Sequence, residues 1–239
     1  GRAMFLTTFL TARYGRCFPS RAAIESHHVR AFDRFRRKVM PRSPFYRDLA
    51  RTPLAALPRM DKASLMENFS AINTCGLDYD RALEVALRAE KTRDFSPLIG
   101  KVSVGLSTGT SGQRGLFLTT PRERAQWAAI MLGRFWPDLR RRQRVAFFMR
   151  ADNALYRSMS NPMIRFEFFD MMTPWDEHLP RLTALDPTVL IAPARILGQL
   201  ALAGLRISPQ RVISIAETLM PDDRAAITAS LQKAAALAA

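Results

Sequence analysis

Residues 101–123 read KVSVGLSTGTSGQRGLFLTTPRE, and this stretch decides the fold prediction. Val102–Leu106 and Leu116–Thr119 are short apolar runs typical of strands, and a Gly/Ser/Thr segment separates them. Thr120 then begins a helix signal: a Thr cap, a Pro at the first helical position and a Glu that completes a capping box. The stretch therefore predicts strand, loop, strand and helix in immediate succession.

Downstream of this stretch, apolar strand-like runs alternate with helical segments of about 10 to 15 residues, which is typical of an α/β fold. We expect a mixed or parallel sheet flanked by helices. The predicted strands are 144–149, 164–169, 188–192 and 212–215, and the predicted helices are 121–135, 176–185, 194–203 and a last one from 221.

Upstream, the sequence predicts a mainly helical N-terminal region. Apolar residues recur every three or four positions over 20–40, and shorter helices are expected over 61–69 and 79–89, with Asp61 as a cap. We therefore predict a helical region over 1–100 and an α/β region over 101–239, together forming one structural domain.

The composition limits the class of protein. The chain has 239 residues, 48% hydrophobic and 24% charged, which is typical of a globular protein. Its two cysteines and three histidines are too few for a disulfide framework, a Cys-rich zinc module or a His-rich metal site. Its apolar runs fall short of the roughly 20 residues that span a bilayer. We expect a soluble, cytoplasmic protein without a membrane partner.

The charge is strongly positive. Lys and Arg number 36 against 21 Asp and Glu, which gives a net charge of +15. A nucleic-acid-binding protein is therefore an alternative interpretation. The arginines are spread along the whole chain, however, so we favour a solvated basic surface over a nucleic-acid groove.

The segment Gly105–Gly115 is the part of the sequence with residues suited to chemistry. Four glycines and four hydroxyl residues stand within its eleven positions, where backbone N–H groups and hydroxyls can converge on an anion. It matches neither the Walker, the dinucleotide nor the nucleophile-elbow pattern. We predict a polyphosphate site, with a flexible hairpin loop as the alternative. Its candidate residues are Ser107, Thr108, Gly109, Thr110, Ser111 and Gly112, with Arg114 either adding charge or facing solvent.

These residues carry a resemblance to a known family. Ser107–Gly112, with Gly115 after it, resembles the signature loop of the adenylate-forming, acyl-activating enzymes. Further elements resemble the phenylacetate–CoA ligase and coenzyme F synthetase-like branch, and the similarity runs from about residue 20 to residue 225. These elements are Ser43–Arg47 (SPFYR), Asp61–Lys62 with Glu67–Phe69 (DK and ENF) and Ile215–Glu217 (resembling GAE).

The resemblance implies an activity. Such enzymes use ATP, with Mg²⁺, to convert a carboxylic acid into an acyl-adenylate, which is then passed to a thiol such as CoA or an acyl-carrier protein. The loop would hold the β- and γ-phosphates. An aryl acid is the expected substrate, bound near the strand 144–149 and residues 150–153. Asp152 and Asn153 are candidate pocket residues, and Glu217 would lie near the nucleotide.

The sequence departs from the family pattern in two ways. Gly115-Leu116 stands where many members have Pro-Lys. The family's aromatic-x-Thr-Glu motif, ribose-binding Asp and C-terminal catalytic Lys do not follow in this sequence. The chain therefore looks like the N-terminal half of such an enzyme, inactive alone or a non-catalytic remnant of the fold.

Other candidate residues also have purely structural interpretations. Asp152 and Asn153 equally fit a turn, and Glu217 equally fits a helix cap or a surface acid. The cysteines have no neighbouring base in the sequence, and we predict no catalytic or metal-binding role for Cys17, Cys75, His27, His28 and His178. Two runs rich in Met and Phe, 147–149 and 166–172, are interpreted first as core strands and second as part of an aromatic-acid pocket.

Overall fold

The structure is a computed structural model that describes residues 2–15, 18–107, 114–136, 138 and 140–231. The described chain forms two compact units, one of residues 10–123 and one of residues 1–9 with 124–239. The sequence predicts a boundary near residue 100. In the structure the strands that follow this boundary belong to the same unit as the helical region, because they pack on its helices.

The described helices are α1 Arg2–Leu10, α2 Arg21–Lys38, α3 Lys62–Glu67, α4 Phe69–Ile72, α5 Tyr79–Thr92, α6 Pro121–Phe135, α7 Ala154–Arg157, α8 Trp175–Leu185, α9 Ala194–Leu202 and α10 Pro221–Leu231. The helix predicted over 61–69 is two helices, α3 and α4, and α7 was not predicted; the other predicted helices are present with similar bounds.

The described strands form two separate sheets. The strands are β1 Leu98–Ile99, β2 Val102–Leu106, β3 Leu116–Thr119, β4 Gln143–Met149, β5 Ile164–Asp170, β6 Val189–Pro193 and β7 Arg211–Ile215. Short 3-10 turns lie at Met40–Arg42, Arg47–Leu49 and Leu54–Ala56, and a π-helical turn at Thr11–Gly15.

In the unit of residues 10–123, β1, β2 and β3 form an antiparallel sheet in that order. Helix α5 covers it through a small apolar core. Asp78 begins this helix, because its side chain accepts hydrogen bonds from the amides of Asp80 and Arg81. The core residues are Phe69, Ala82, Ala86, Ile99, Val104, Leu106 and Leu116.

The helix starts follow the capping signals of the sequence. Asp61 accepts a hydrogen bond from the Ser64 amide and begins α3. That bond holds the pKa of Asp61 below its usual value. At α6 the capping box is confirmed: the Thr120 amide donates to Glu123, and the Glu123 amide donates to the Thr120 hydroxyl at 3.3 Å. Local sequence therefore sets where these helices begin.

Gly105 has no side chain because an aromatic ring occupies that space. Gly105 pairs with Phe117 across the sheet, and a Cβ built on Gly105 would lie 2.2 Å from the ring. We expect Gly105→Ala to lower the free energy of unfolding by about 1 kcal/mol, since the ring must move away. Urea unfolding measures this, and Gly198→Ala is the contrasting variant: a Cβ there meets nothing within 4 Å, so the helix propensity of Ala should raise the stability instead.

The cause can be checked with the ring removed. In the Phe117→Ala background, Gly105→Ala should cost less than it does alone, because the clash is absent. An equal cost in both backgrounds would contradict the steric explanation.

In the unit of residues 1–9 and 124–239, four parallel strands form a sheet in the order β5-β4-β6-β7. Helices α8, α9 and α10 pack on one face, where Phe148 and Phe169 are fully buried. Helices α6 and α7 pack on the other face, together with Phe5 and Phe9 of α1. The α/β prediction is confirmed at this level: a parallel four-stranded sheet flanked by helices, with an N-terminal helix.

Candidate functional site

Hydrogen bonds join the two ends of the candidate phosphate-binding segment, and we call this joined end the closed base of the loop. The Ser107 amide donates to the Gly115 carbonyl at 2.8 Å, and the Gly115 amide donates to the Ser107 hydroxyl at 2.8 Å. The two hydrogen bonds extend the pairing of β2 with β3 by one step. The predicted residues Thr108, Gly109, Thr110, Ser111 and Gly112 lie outside the described residues, so their role stays a prediction.

Arg114 fixes this base to helix α5. Its Nε donates to the Ser107 carbonyl at 3.1 Å. Its guanidinium forms a bidentate ion pair with Glu90, in which Nη1 donates to Oε2 at 2.6 Å. The hydrogen bonds that Arg114 donates to Glu90 raise the pKa of Arg114 above its usual value, which is already far above neutrality. The charge of Arg114 is therefore compensated within the protein, and the side chain is suited to positioning the loop.

Helix α3 lies beside the same base. A Cβ built on Gly115 would lie 3.8 Å from the Cδ and Cε atoms of Lys62, and the Leu116 amide donates to the sulfur of Met66 at 3.2 Å. The structure thus brings the segment around Asp61–Lys62 next to the loop. Sequence reasoning noted both segments but had no signal that they are neighbours.

The parallel sheet has a topological switch point between β4 and β6. The chain passes from β4 to β5 on one side and then returns to β6 on the other side of β4. Ligands of such sheets bind outside the carboxyl ends of the strands at this point. The predicted residues Asp152 and Asn153 follow β4, and Glu217 follows β7, so the topology places all three at the carboxyl edge.

Asp152 and Asn153 have structural contacts that account for their burial. One oxygen of Asp152 accepts a hydrogen bond from the Asn153 amide at 2.7 Å, and the other accepts one from Nε of Arg157 at 2.5 Å. Asn153 caps α7 by accepting from the Leu155 amide at 2.8 Å. These bonds match the turn interpretation, while a ligand role stays a prediction.

We expect Asp152→Ala to lower the free energy of unfolding by about 1–3 kcal/mol, because the Asn153 amide and Arg157 each lose an acceptor at a buried turn. Its ATP affinity should stay unchanged if the role is structural. Chemical denaturation and calorimetric ATP titration of the same preparation measure the two quantities. A loss of ligand affinity at unchanged stability would instead assign Asp152 to a binding site.

Glu217 supports a helix start. Its carboxylate accepts a hydrogen bond from the Arg195 amide at 2.9 Å, in the first turn of α9, where Pro193 provides no side-chain cap. The preceding Ala216 has a positive φ of 62°, which turns the chain sharply after β7. The helix-cap interpretation of Glu217 therefore has direct support, and its proposed proximity to a nucleotide stays untested.

An apolar cavity of about 290 Å³ lies between α6 and one face of the parallel sheet. Helix α6 contributes Trp127, Met131 and Phe135, and β4 contributes Val145, Phe147 and Met149. The core-strand interpretation of these runs is confirmed for one face, since alternate residues of β4 fill the core there and line the cavity on the other face. The aromatic-acid pocket stays a prediction.

Tyr156 carries one of the few polar atoms of this cavity. Its ring contacts Phe147 and Trp127, with centroids 4.7 and 5.7 Å away. Burial, and then the negative charge of Asp152, raise the pKa of the Tyr156 hydroxyl above its usual value. The hydroxyl is therefore neutral at physiological pH.

Cys75 and His178, for which no functional role is predicted, have surroundings that bear on their chemistry. Burial raises the pKa of the Cys75 thiol, and the charge of Glu123 raises it further, so the reactive thiolate is disfavoured. His178 is buried among Phe148, Phe169 and Trp175, with Nε2 lying 2.7 Å from the Asp170 carbonyl. Cys17 lies outside the described residues.

Among the described residues, no helix combines the length and apolarity that crossing a bilayer requires. No three His, Cys, Asp or Glu side chains of that same part of the chain cluster as a metal site. Neither a scan of protein-family models nor a search of curated proteins found a match to the chain.

Proposed function

We propose that this protein activates a carboxylic acid with ATP, forming an acyl-adenylate for transfer to a thiol such as CoA or an acyl-carrier protein. The observation that carries the proposal is the closed base of the Gly/Ser/Thr segment. Hydrogen bonds between Ser107 and Gly115 and the ion pair of Arg114 with Glu90 anchor both ends of a segment rich in backbone and hydroxyl donors. An anchored segment can present donors in a fixed geometry.

The proposed chemistry needs charge neutralisation more than covalent help. An oxygen of the carboxylate attacks the α-phosphorus of ATP, and the bond to the bridging oxygen breaks, so that pyrophosphate leaves. Donors of residues 107–112 would stabilise the negative charge on the β- and γ-phosphates. Mg²⁺ fits this scheme as an ion carried by the triphosphate, because such ions are held mainly by substrate phosphates and water.

The apolar cavity supports an acid with an apolar body. The resemblance favours an aryl acid, whereas the cavity lining itself supports only an apolar body of the acid. The thiol would then displace AMP from the acyl carbon, forming a thioester.

The positive charge favours nucleic-acid binding as a second candidate. Part of that charge is compensated locally, since described arginines such as Arg88, Arg144 and Arg165 pair with carboxylates. A phosphate-backbone binder loses affinity steeply with salt. An ATP site instead depends on particular loop residues.

Calorimetric titration with Mg²⁺ and ATP, beside titration with duplex and single-stranded DNA at two salt concentrations, separates these functions. The proposal predicts ATP binding that Ser111→Ala weakens, and no salt-dependent DNA binding. DNA binding that falls steeply with salt, without ATP binding, would favour the nucleic-acid alternative. ATP binding without acyl-adenylate formation would identify a non-catalytic remnant of the fold.

A further inference from the structure

We propose that the cavity beneath α6 holds an unbranched apolar tail, so that the substrate is a medium- to long-chain aliphatic acid and not a compact aryl acid. The assignment of the carboxyl chemistry rests on the proposed function. The assignment of the tail rests on the cavity, which lies wholly within one compact unit.

The first argument is size. The cavity measures about 290 Å³. An apolar cavity of about 150 Å³ holds one benzene molecule, so this cavity has room for roughly twice that ligand, or about twelve carbon atoms. A single aromatic ring with a one-carbon arm would leave much of the space empty, and empty apolar space forfeits contacts.

The second argument is shape. Every residue of β4 that faces α6 lines the cavity, from Gln143 at one end of the strand to Met149 at the other. At about 3.3 Å per residue, these six steps span roughly 20 Å. Neighbouring strands contribute two residues each: Ile164 and Phe166, Val189 and Ile191, and Ile213 and Ile215.

A volume of this size spread along the whole strand is thin and extended. A flexible chain can follow such a space, whereas a rigid ring system fills only part of it. An extended twelve-carbon chain is about 15 Å long, at about 1.3 Å per carbon along its axis. It fits the length of the cavity.

The third argument is chemistry. The described lining contains no charged side chain. The amide of Gln143 is occupied: it donates to the carbonyls of Asp138 and Arg141 and accepts from the Thr188 hydroxyl at 2.6 Å. A charged group on the far part of the ligand would lose its water without meeting an opposite charge there. The tail should therefore be uncharged and largely hydrocarbon.

The sheet also indicates which end of the ligand lies at which end of the cavity. Met149, Ile215 and Ala216 line the cavity at the carboxyl ends of their strands. This is the edge where parallel sheets bind ligands at a switch point. The carboxylate would lie there, exposed to solvent and reactants, and the hydrocarbon would extend beneath α6 toward Gln143.

Binding of a series of acids in the absence of ATP tests this proposal. We would titrate the full chain with phenylacetate, octanoate, dodecanoate and dodecanedioate, each below its micelle-forming concentration, by calorimetry. Affinity should rise about fourfold per methylene up to roughly twelve carbons. The second carboxylate of dodecanedioate should weaken binding by more than tenfold. Tighter binding of phenylacetate than of dodecanoate, or no dependence on chain length, would overturn the proposal.

A variant that fills the cavity provides the second test. Val189 is buried and lines the cavity at the centre of the sheet, so Val189→Phe should weaken dodecanoate binding at least tenfold. Leu202→Phe, at a side chain 88% exposed on α9, is the matched control for added surface hydrophobicity and should bind normally. Equal affinity in both variants would place the tail elsewhere. Should Val189→Phe fail to fold, Met131→Trp fills the same space.

The two proposals fail separately. Dodecanoate bound in the cavity by a chain that does not bind ATP would contradict the proposed function and leave the tail site intact. Adenylation of phenylacetate by a chain that does not bind dodecanoate would do the opposite.

Discussion

Replacing Gly112 by Val is expected to lower the affinity for ATP at least about tenfold, which corresponds to the loss of one charge-assisted hydrogen bond to a phosphate. A branched side chain at the centre of the Gly/Ser/Thr segment keeps the backbone N–H groups away from the phosphates. The free energy of unfolding should change little. Calorimetric titration with Mg²⁺ and ATP measures the first quantity, and urea unfolding measures the second.

The control for this variant is Gly198→Ala in α9, where an added Cβ meets nothing within 4 Å. It should leave ATP affinity unchanged and raise the free energy of unfolding by about 0.5–1 kcal/mol, because Ala is the better helix former. Unchanged ATP affinity in Gly112→Val would contradict the assignment of residues 107–112 to phosphate binding.

Reversing the charge of Arg114 is expected to have a comparable effect for a different reason. Arg114→Glu places a carboxylate opposite Glu90 and removes the hydrogen bond to the Ser107 carbonyl. The two carboxylates repel each other, and the base of the loop opens. We expect the affinity for ATP to fall more than about tenfold, since an anchored donor geometry is lost.

The double variant distinguishes positioning from direct phosphate contact. Glu90→Arg combined with Arg114→Glu restores an ion pair of reversed polarity but not the hydrogen bond to the Ser107 carbonyl, so it should recover part of the lost ATP affinity. A double variant weaker than Arg114→Ala, which loses both contacts without repulsion, would mean that the Arg114 charge itself contacts the nucleotide.

A second ion pair on the same helix supplies a matched control. Arg88 and Glu84 pair four residues apart on α5, with side chains 62% and 67% exposed. Exposed pairs of this kind contribute little to stability. Reversing both charges there should leave ATP affinity and stability unchanged, which shows that the effect at Arg114 is specific to the base of the loop.

Much of the fold follows from local signals in the sequence. The apolar run around Phe147 and Phe148 identifies a strand buried on both faces, and the capping box at Thr120 identifies the start of α6. Both predictions are confirmed. Such signals depend on neighbouring residues along the chain, so a single sequence contains them in full.

The long-range features could not be predicted in this way. The pairing of Arg114 with Glu90 joins residues 24 positions apart, and other acids offered equivalent partners. The contact of Phe117 with Gly105 depends on the register of β2 and β3. The sequence of the loop between the two strands does not determine this register. Helix α7 has only four residues and shows no periodicity. Tertiary packing decides all three.

The division of the chain into units has a similar cause. The composition changes near residue 101, where strands replace helices, and the sequence therefore indicates a boundary there. In the structure β1, β2 and β3 bury their apolar side chains, including Ile99 and Leu106, against α5. The partner of a strand, and not its position in the sequence, determines the unit to which it belongs.

The proposed function requires that the chain form an acyl-adenylate from ATP and an apolar acid. Exchange of labelled pyrophosphate into ATP measures that step by itself, because the exchange requires its reversal. We expect exchange that depends on added dodecanoate and is lost in Gly112→Val. Exchange that persists without any acid, or that Gly112→Val leaves unchanged, would contradict it.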